Sequence, residues 1–331
     1  MALVSHAFSP KEFQVWIISD ATTAGSTGIH ASNMYQLDVD SVGMPSLNVN
    51  QVLDVRSGVG RTLKDEDFFQ DNTLRVVEFT ISGTMHNDAG HKLLLQNICN
   101  DVSGDIAVAS GFSPASQLYG SAVTNSASSL TVVVKSSDHT NQRSLEMAGM
   151  VVTNFVLSAD SATEGGRYKF SATLQSGVKP DLNESSTASG SNVYANTTDC
   201  FLSSASGIKV FDEDVILQNF TATIDSPAVF TGFSSTGYQG VHRGAEIAVT
   251  ADATVKYDGN TKGFINSFDT QTTAQSGNMF VITNNNAFGL NMQNGVFTEV
   301  AYNEGDIMML DCSMKAVDDG TDALISFDVS S

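Results

Sequence analysis

The chain has 331 residues, 41% of them hydrophobic, which is enough for two domains or one large one. Only 16% are charged, and 36 Asp and Glu against 16 Lys and Arg leave a net charge of −20. Such a surface repels free nucleic acid, since no basic stripe interleaves with aromatics. No apolar run approaches membrane-spanning length, so no membrane partner is expected. Ser, Thr, Asn and Gly take the place of the missing charges, which suits strands and turns better than long helices.

In chain order, residues 11–18 form an apolar strand holding the only Trp, Trp16. Its position suggests an N-terminal arm that docks on something, with residues 19–46 following as loop. A strand at Asn48–Arg56 leads into a long connection carrying Phe68 and Phe69. The strand Leu74–Met85 turns its Val77, Phe79 and Ile81 to one face. Asp88 is placed to cap a short helix with His91, Leu94, Leu95 and Ile98 at helical spacing. Strands are predicted at Leu130–Lys135, at Gly149–Leu157 and at 167–175, where the alternation is cleanest, fed by a turn at Glu164-Gly165-Gly166. Residues 176–207 break the pattern and read as a polar linker or exposed insertion.

Beyond it, Val215–Ile224 alternates with Ile216, Phe220, Ala222 and Ile224 inward. A Gly-rich connection then carries Val229, Phe230, Phe233 and Tyr238. The strand Glu246–Tyr257, a short helix after Asp258-Gly259-Asn260, and strands at Met279–Ile282, Phe288–Met292, Asp306–Ala316 and Leu324–Val329 close the chain. Met308, Leu310, Cys312 and Met314 are expected inward on the Asp306–Ala316 strand.

Two stretches read alike. Adding 170 carries Phe79 onto Val249, Leu94 onto Phe264 and Ile98 onto Phe268. The fold class expected is mainly β: two barrel or sandwich units, each with one short α-helix packed against it. The expected division is 1–46 arm and loop, 47–178 first β domain, 179–207 linker and 208–331 second β domain.

Motifs that carry chemistry are sparse. The three cysteines have no CxxC spacing, and the N-terminus lacks a charged start followed by an apolar run, so folding in a reducing cytosol is expected. His86 and His91 flank Asp88, but the spacing fits no zinc signature, and Asp258-Gly259-Asn260 lacks the rest of a calcium loop. The acidic triplets at 65–67 and 212–214 read as solvated clusters. No nucleotide-binding, nucleophile-elbow or metalloprotease motif occurs. The chain is therefore expected to be no enzyme and to need no cofactor or metal.

The phrasing of residues 149–157 and 166–174, and of Val215–Ile224 followed by the Gly-rich loop and Glu246–Tyr257, resembles bacteriophage tail tube proteins. The likeness runs from about Leu47 to the C-terminus. It implies a structural virion protein whose strands join neighbours into closed, stacked rings, a conduit for DNA ejection, assembled in the host cytoplasm into the tail. A ring of six tube domains would need three such chains, or six if the chain is not duplicated. Tail terminator, tape-measure and distal tail proteins would be its partners, and DNA would pass through without specific binding. Phe68, Phe69, Val229, Phe230, Phe233, Tyr238 and Trp16 are then candidate contacts between subunits or rings, and Asp252 a candidate lumen-facing acid. Another tail, baseplate or capsid-surface component remains open, as does a carbohydrate-binding sandwich or hydrolase, although the only Trp is not on a loop between strands.

Overall fold

The structure, a computed structural model, describes residues 13–19, 34–43, 50–53, 68–71, 76–99, 129–136, 144–178, 180–184, 199–232, 240–242, 247–284, 288–318 and 324–329. In the first half lie β1 (Phe13–Ser19), β2 (Tyr35–Leu37), β3 (Val39–Val42), β4 (Asn50–Leu53), β5 (Phe68–Asp71) and β6 (Val77–Thr84). Helix α1 (Ala89–Ile98) follows, then β7 (Leu130–Ser136), β8 (Ser144–Asp160), β9 (Lys169–Ser176) and β10 (Asp181–Glu184). The second half holds β11 (Ala205–Val210), β12 (Glu213–Asp214), β13 (Leu217–Asp225), β14 (Val229–Thr231), β15 (Gly240–His242) and β16 (Ala248–Lys256). Helix α2 (Phe264–Thr270) precedes β17 (Phe280–Asn284), β18 (Phe288–Met292), β19 (Gly295–Glu304), β20 (Met308–Ala316) and β21 (Ser326–Val329). The protein is mainly β and sandwich-like, with antiparallel sheets that do not close into a barrel.

The strand pairings repeat. One run of eight antiparallel strands reads β3-β6-β9-β8-β13-β16-β20-β19. Its second four strands repeat the order of its first four: β13 takes the place of β3, β16 of β6, β20 of β9 and β19 of β8. The outer layer repeats as well, with β2-β1-β7-β8-β10 in the first half and β12-β11-β17-β18-β21 in the second. Each half also carries a two-stranded hairpin between corresponding strands, β4 with β5 and β14 with β15. The 17 residues of β8 bend from the outer layer into the eight-strand run. In the second half the same path is divided into β18 and β19.

The repeat extends to defects and caps. A bulge falls at Asp40 in β3 and at Gln218 in β13, and another at Thr153 in β8 and at Thr298 in β19. A bulge adds one residue and bends its strand, so matched bulges give both halves the same curvature. Beside the second pair of bulges, a side-chain amide accepts a backbone N–H in each half. Asn97 Oδ1 accepts from Val152 N at 2.7 Å and Gln271 Oε1 from Phe297 N at 3.0 Å. Accordingly α1 packs on β8 and α2 on β19. An aspartate also precedes each helix. Asp88, the N-cap of α1, accepts from His91 N at 2.9 Å. Asp258, ahead of the 3-10 turn Thr261–Gly263 that leads into α2, accepts from Asn260 N at 2.9 Å and Thr261 N at 3.4 Å, whereas Gly263 at the start of α2 itself has no side-chain cap.

One core runs through both halves. Tyr168 on the first half's side meets Phe220 and Phe288 of the second edge-on, at ring-centroid distances of 5.5 and 5.9 Å. The turn into β9 holds Glu164, Gly165 and Gly166 at φ of 49, 69 and 78°. A Cβ at Gly166 would lie 2.8 Å from the Leu202 Cβ, so glycine is needed there both for its φ and for room.

Several sequence expectations are corrected. Residues 13–19, expected as part of an N-terminal arm that docks on something, form a strand inside the first half's outer layer, β1 lying between β2 and β7. Trp16 is buried there against Met34 and Val133, with Lys135 Nζ 5.4 Å from its ring centroid. Nor are residues 179–207 wholly linker. β10 pairs with β8, and Asp199 and Phe201 bridge to His86 and Arg167. Ile216 and Met308 are exposed rather than inward, since Ile216 precedes β13 and Met308 opens β20 at a turn.

Candidate assembly surfaces

At the two ends of the eight-strand run, β3 pairs with β6 alone among the described strands, and β19 with β20 alone, apart from an isolated bridge between Gly295 at its start and Gln275. A strand at a sheet end presents a row of N–H and C=O groups that another chain can pair with. On β19, Phe297 and Val300 face the core while Tyr302 is half exposed. On β3, Val39 and Val42 are half-buried and pack against the core's margin. The sequence reading missed both strands. In each, the bulge stretches the inward spacing from two residues to three, Val39 to Val42 and Phe297 to Val300, and so erases the alternation that marks a strand.

One face of the run is turned away from the core and is polar. Thr80 and Thr173 hydroxyls sit 3.4 Å apart, Gln175 donates to Glu78 at 3.1 Å, and Thr254 donates to Asp311 at 2.7 Å. Asp252 lies on this face, exposed, between Thr221 of β13 and Ser313 of β20. The face thus mixes hydroxyls with carboxylates and an amide.

The aromatic loop residues divide. Phe68 and Phe69 belong to β5, opposite Leu53 and Val52. Val229 on β14 is exposed, whereas Phe230 packs against the Val151 and Val178 cluster of the first half. Phe233 and Tyr238 lie outside the described residues. Trp16, buried as described, presents little surface for contact.

A buried polar cluster gathers at the start of α1. His86 sits 2.9 Å from both Asp38 and Asp199, Arg167 donates to Asp199 at 2.7 Å, and His91 Nδ1 lies 2.8 Å from Asp88. Both imidazoles are fully buried, His91 edge-on to Phe170. The hydrogen bond from His86 holds the Asp38 carboxyl below its ordinary pKa. Burial pushes Asp88 up, but its bonds from His91 outweigh this and leave it lowered. Burial raises the Cys200 thiol to about 12, and Cys312 likewise to about 12, which removes thiolate character at neutral pH. The cluster ties the segment at 199–201 to the β6 end and to Asp38; its visible role is bracing. Among the described residues, no group of three or more His, Cys, Asp or Glu is arranged to hold a metal ion, and no helix is long and apolar enough to cross a membrane.

No protein-family model matches the chain, and no curated protein matches it.

Proposed function

We propose that this chain is a structural virion protein that assembles into stacked rings of a phage tail tube, through which DNA passes during ejection. The observation that carries the reading is the eight-strand run, a four-strand order repeated once, with an end strand on either side that pairs with only one other strand among the described ones. A doubled unit with complementary ends suits cyclic assembly, since closure removes both sheet ends. Three chains per ring give six units in pseudo-sixfold arrangement. The polar face then lines the lumen, where acidic groups such as Asp252 repel phosphate and let DNA slide. The hairpins between β3 and β6 and between β13 and β16 supply contacts to adjacent rings, with Val229 as an exposed apolar contact. Terminator, tape-measure and distal tail proteins are the remaining partners, and the site of function is the virion tail.

Electron microscopy of the concentrated recombinant protein, with ring averages sorted by symmetry, tests this. Hollow tubes of three-chain rings are expected. A protein that stays monomeric at high concentration would sink the reading.

A further inference from the structure

We propose that Asp199–Leu202 is a strap held on the first half by charge, and that acid releases it while the rest of the fold stays closed. The proposal is argued from the fold and does not depend on the ring reading.

The strap crosses from one half to the other just ahead of β11. Asp199 bridges to His86 and Phe201 to Arg167. Tyr168 N donates to Cys200 O at 2.9 Å, and Leu202 N donates to Gly166 O at 2.7 Å. Cys200 and Leu202 are buried, and so are Tyr168 and Met85, which donates to Tyr168 O at 2.9 Å.

The second half has the same end without a strap. Matching the bulge at Asp40 to that at Gln218, and the bulge at Thr153 to that at Thr298, fixes the register between the halves. The row Val39, Gly83, Phe170, Leu157 falls on the row Leu217, Val255, Leu310, Tyr302. Two backbone hydrogen bonds agree with it. Thr84 N to Asp38 O recurs as Lys256 N to Ile216 O, and Met85 N to Tyr168 O recurs as Tyr257 N to Met308 O. In this register Asp38 becomes Ile216, His86 becomes Asp258, Arg167 becomes Ile307 and Tyr168 becomes Met308. Tyr168 is fully buried, whereas Met308 is 41% exposed. Among the described residues, no strap-like segment bridges to Ile307 or Met308. The half that carries the strap is therefore the half that gathers an aspartate, a histidine and an arginine around its anchor.

A buried charge network holds a segment no better than apolar packing of similar volume, but its hold depends on protonation. The ring nitrogens of His86 lie 2.9 Å from Asp38 and from Asp199. Arg167 donates to Asp199 at 2.7 Å and stands 3.9 Å from Asp38. The other titratable groups facing the cluster are Asp88 and His91 at the start of α1, and Cys200 on the strap itself. Acid neutralises the carboxylates and leaves the basic groups charged. His86 and Arg167 then stand as cations around carboxyl groups that no longer offset them, and nothing draws Asp199 inward. Asp38 gives the direction: the hydrogen bond from His86 keeps its carboxyl below the ordinary value despite burial. Its contribution is complete above the ordinary carboxylate range and is lost as pH falls through the folded value. Release bares Tyr168, the counterpart of the exposed Met308.

The three cysteines, all buried, read the strap without any substitution. Cys200 lies on it, Cys99 closes α1 and Cys312 belongs to β20. The full chain is treated at stepped pH with an aromatic disulfide that reacts with thiols in acid. Peptide mass spectrometry identifies the labelled cysteine, and each rate is taken relative to the urea-unfolded chain at the same pH. Below about pH 4, Cys200 should label about tenfold faster than at neutral pH, with Cys99 and Cys312 still protected and the circular dichroism unchanged. Asp38→Asn should raise the Cys200 rate at neutral pH and flatten its dependence on acid. Three cysteines that react together, or a Cys200 protected until the circular dichroism collapses, would overturn the strap. An Asp38→Asn chain that labels no faster than wild type at neutral pH would overturn the charge latch.

Discussion

Asn97 and Gln271 sit at the ends of two short helices and hold a bulge in the strand beneath, Asn97 from a buried position and Gln271 from a half-buried one. Asn97→Leu takes the acceptor from Val152 N in the core and should cost about 1–3 kcal/mol in urea unfolding. Gln271→Leu, nearer water, should cost less; equal losses would show that burial does not set the difference. Acid should act through Asp38 and Asp88. Their folded pKa values are depressed, so their contribution is complete above the ordinary carboxylate range and drains as pH falls through the folded values. Thermal midpoints should decline below about pH 4, and Asp38→Asn should flatten that decline. An undiminished slope would remove Asp38 from the account. At this scale the sequence is informative where chemistry is local. Asp88 is legible as a cap because its acceptor role is settled within three residues. The partners of His86 are not, because Asp38 and Asp199 reach it from distant segments.

Strands were legible where alternation is unbroken, as in β9 and β16, whose inward residues follow a strict period of two. β3 and β19 were not, since each bulge displaces the pattern by one residue. In the outer layer β18 was legible at Phe288–Met292 although it is buried throughout and shows no alternation, whereas β2, three residues long, was not. The bulge in β3 faces a point of close approach. At Gly83 of β6, any Cβ would overlap the Asp38 carbonyl oxygen and lie 2.7 Å from Val39 Cα. Gly83→Ala should therefore displace β3, lowering stability by about 1–3 kcal/mol and impairing assembly more than folding. Thermal melts beside electron microscopy separate the two, and a variant with intact tubes would show that β3 can shift without consequence.

For the whole molecule, the spacing of 170 residues points to duplication, but its extent is visible only in three dimensions. The N-terminal strand, which composition sets apart as an arm, is the counterpart of β11. The polar face raises a question of charge that belongs to the assembly. Asp252→Lys lies on an exposed position and should leave stability within about 0.5 kcal/mol of wild type. Tubes carrying it should retain DNA in a salt-dependent manner, while wild-type tubes should not; equal retention would place Asp252 away from the channel.

In the proposed ring, the doubling of the four-strand order also restricts how assembly can go wrong. A chain that supplies two units at a time cannot add or lose a single one, so circumferences with an odd number of units are inaccessible. The nearest erroneous ring differs by a whole chain, which doubles the angular mismatch spread over the remaining seams. Half of those seams are covalently committed before any two chains meet, and their curvature is fixed during folding. In a ring of the proposed kind, fusion would thus act as a proofreading constraint on diameter, supplied by parity alone.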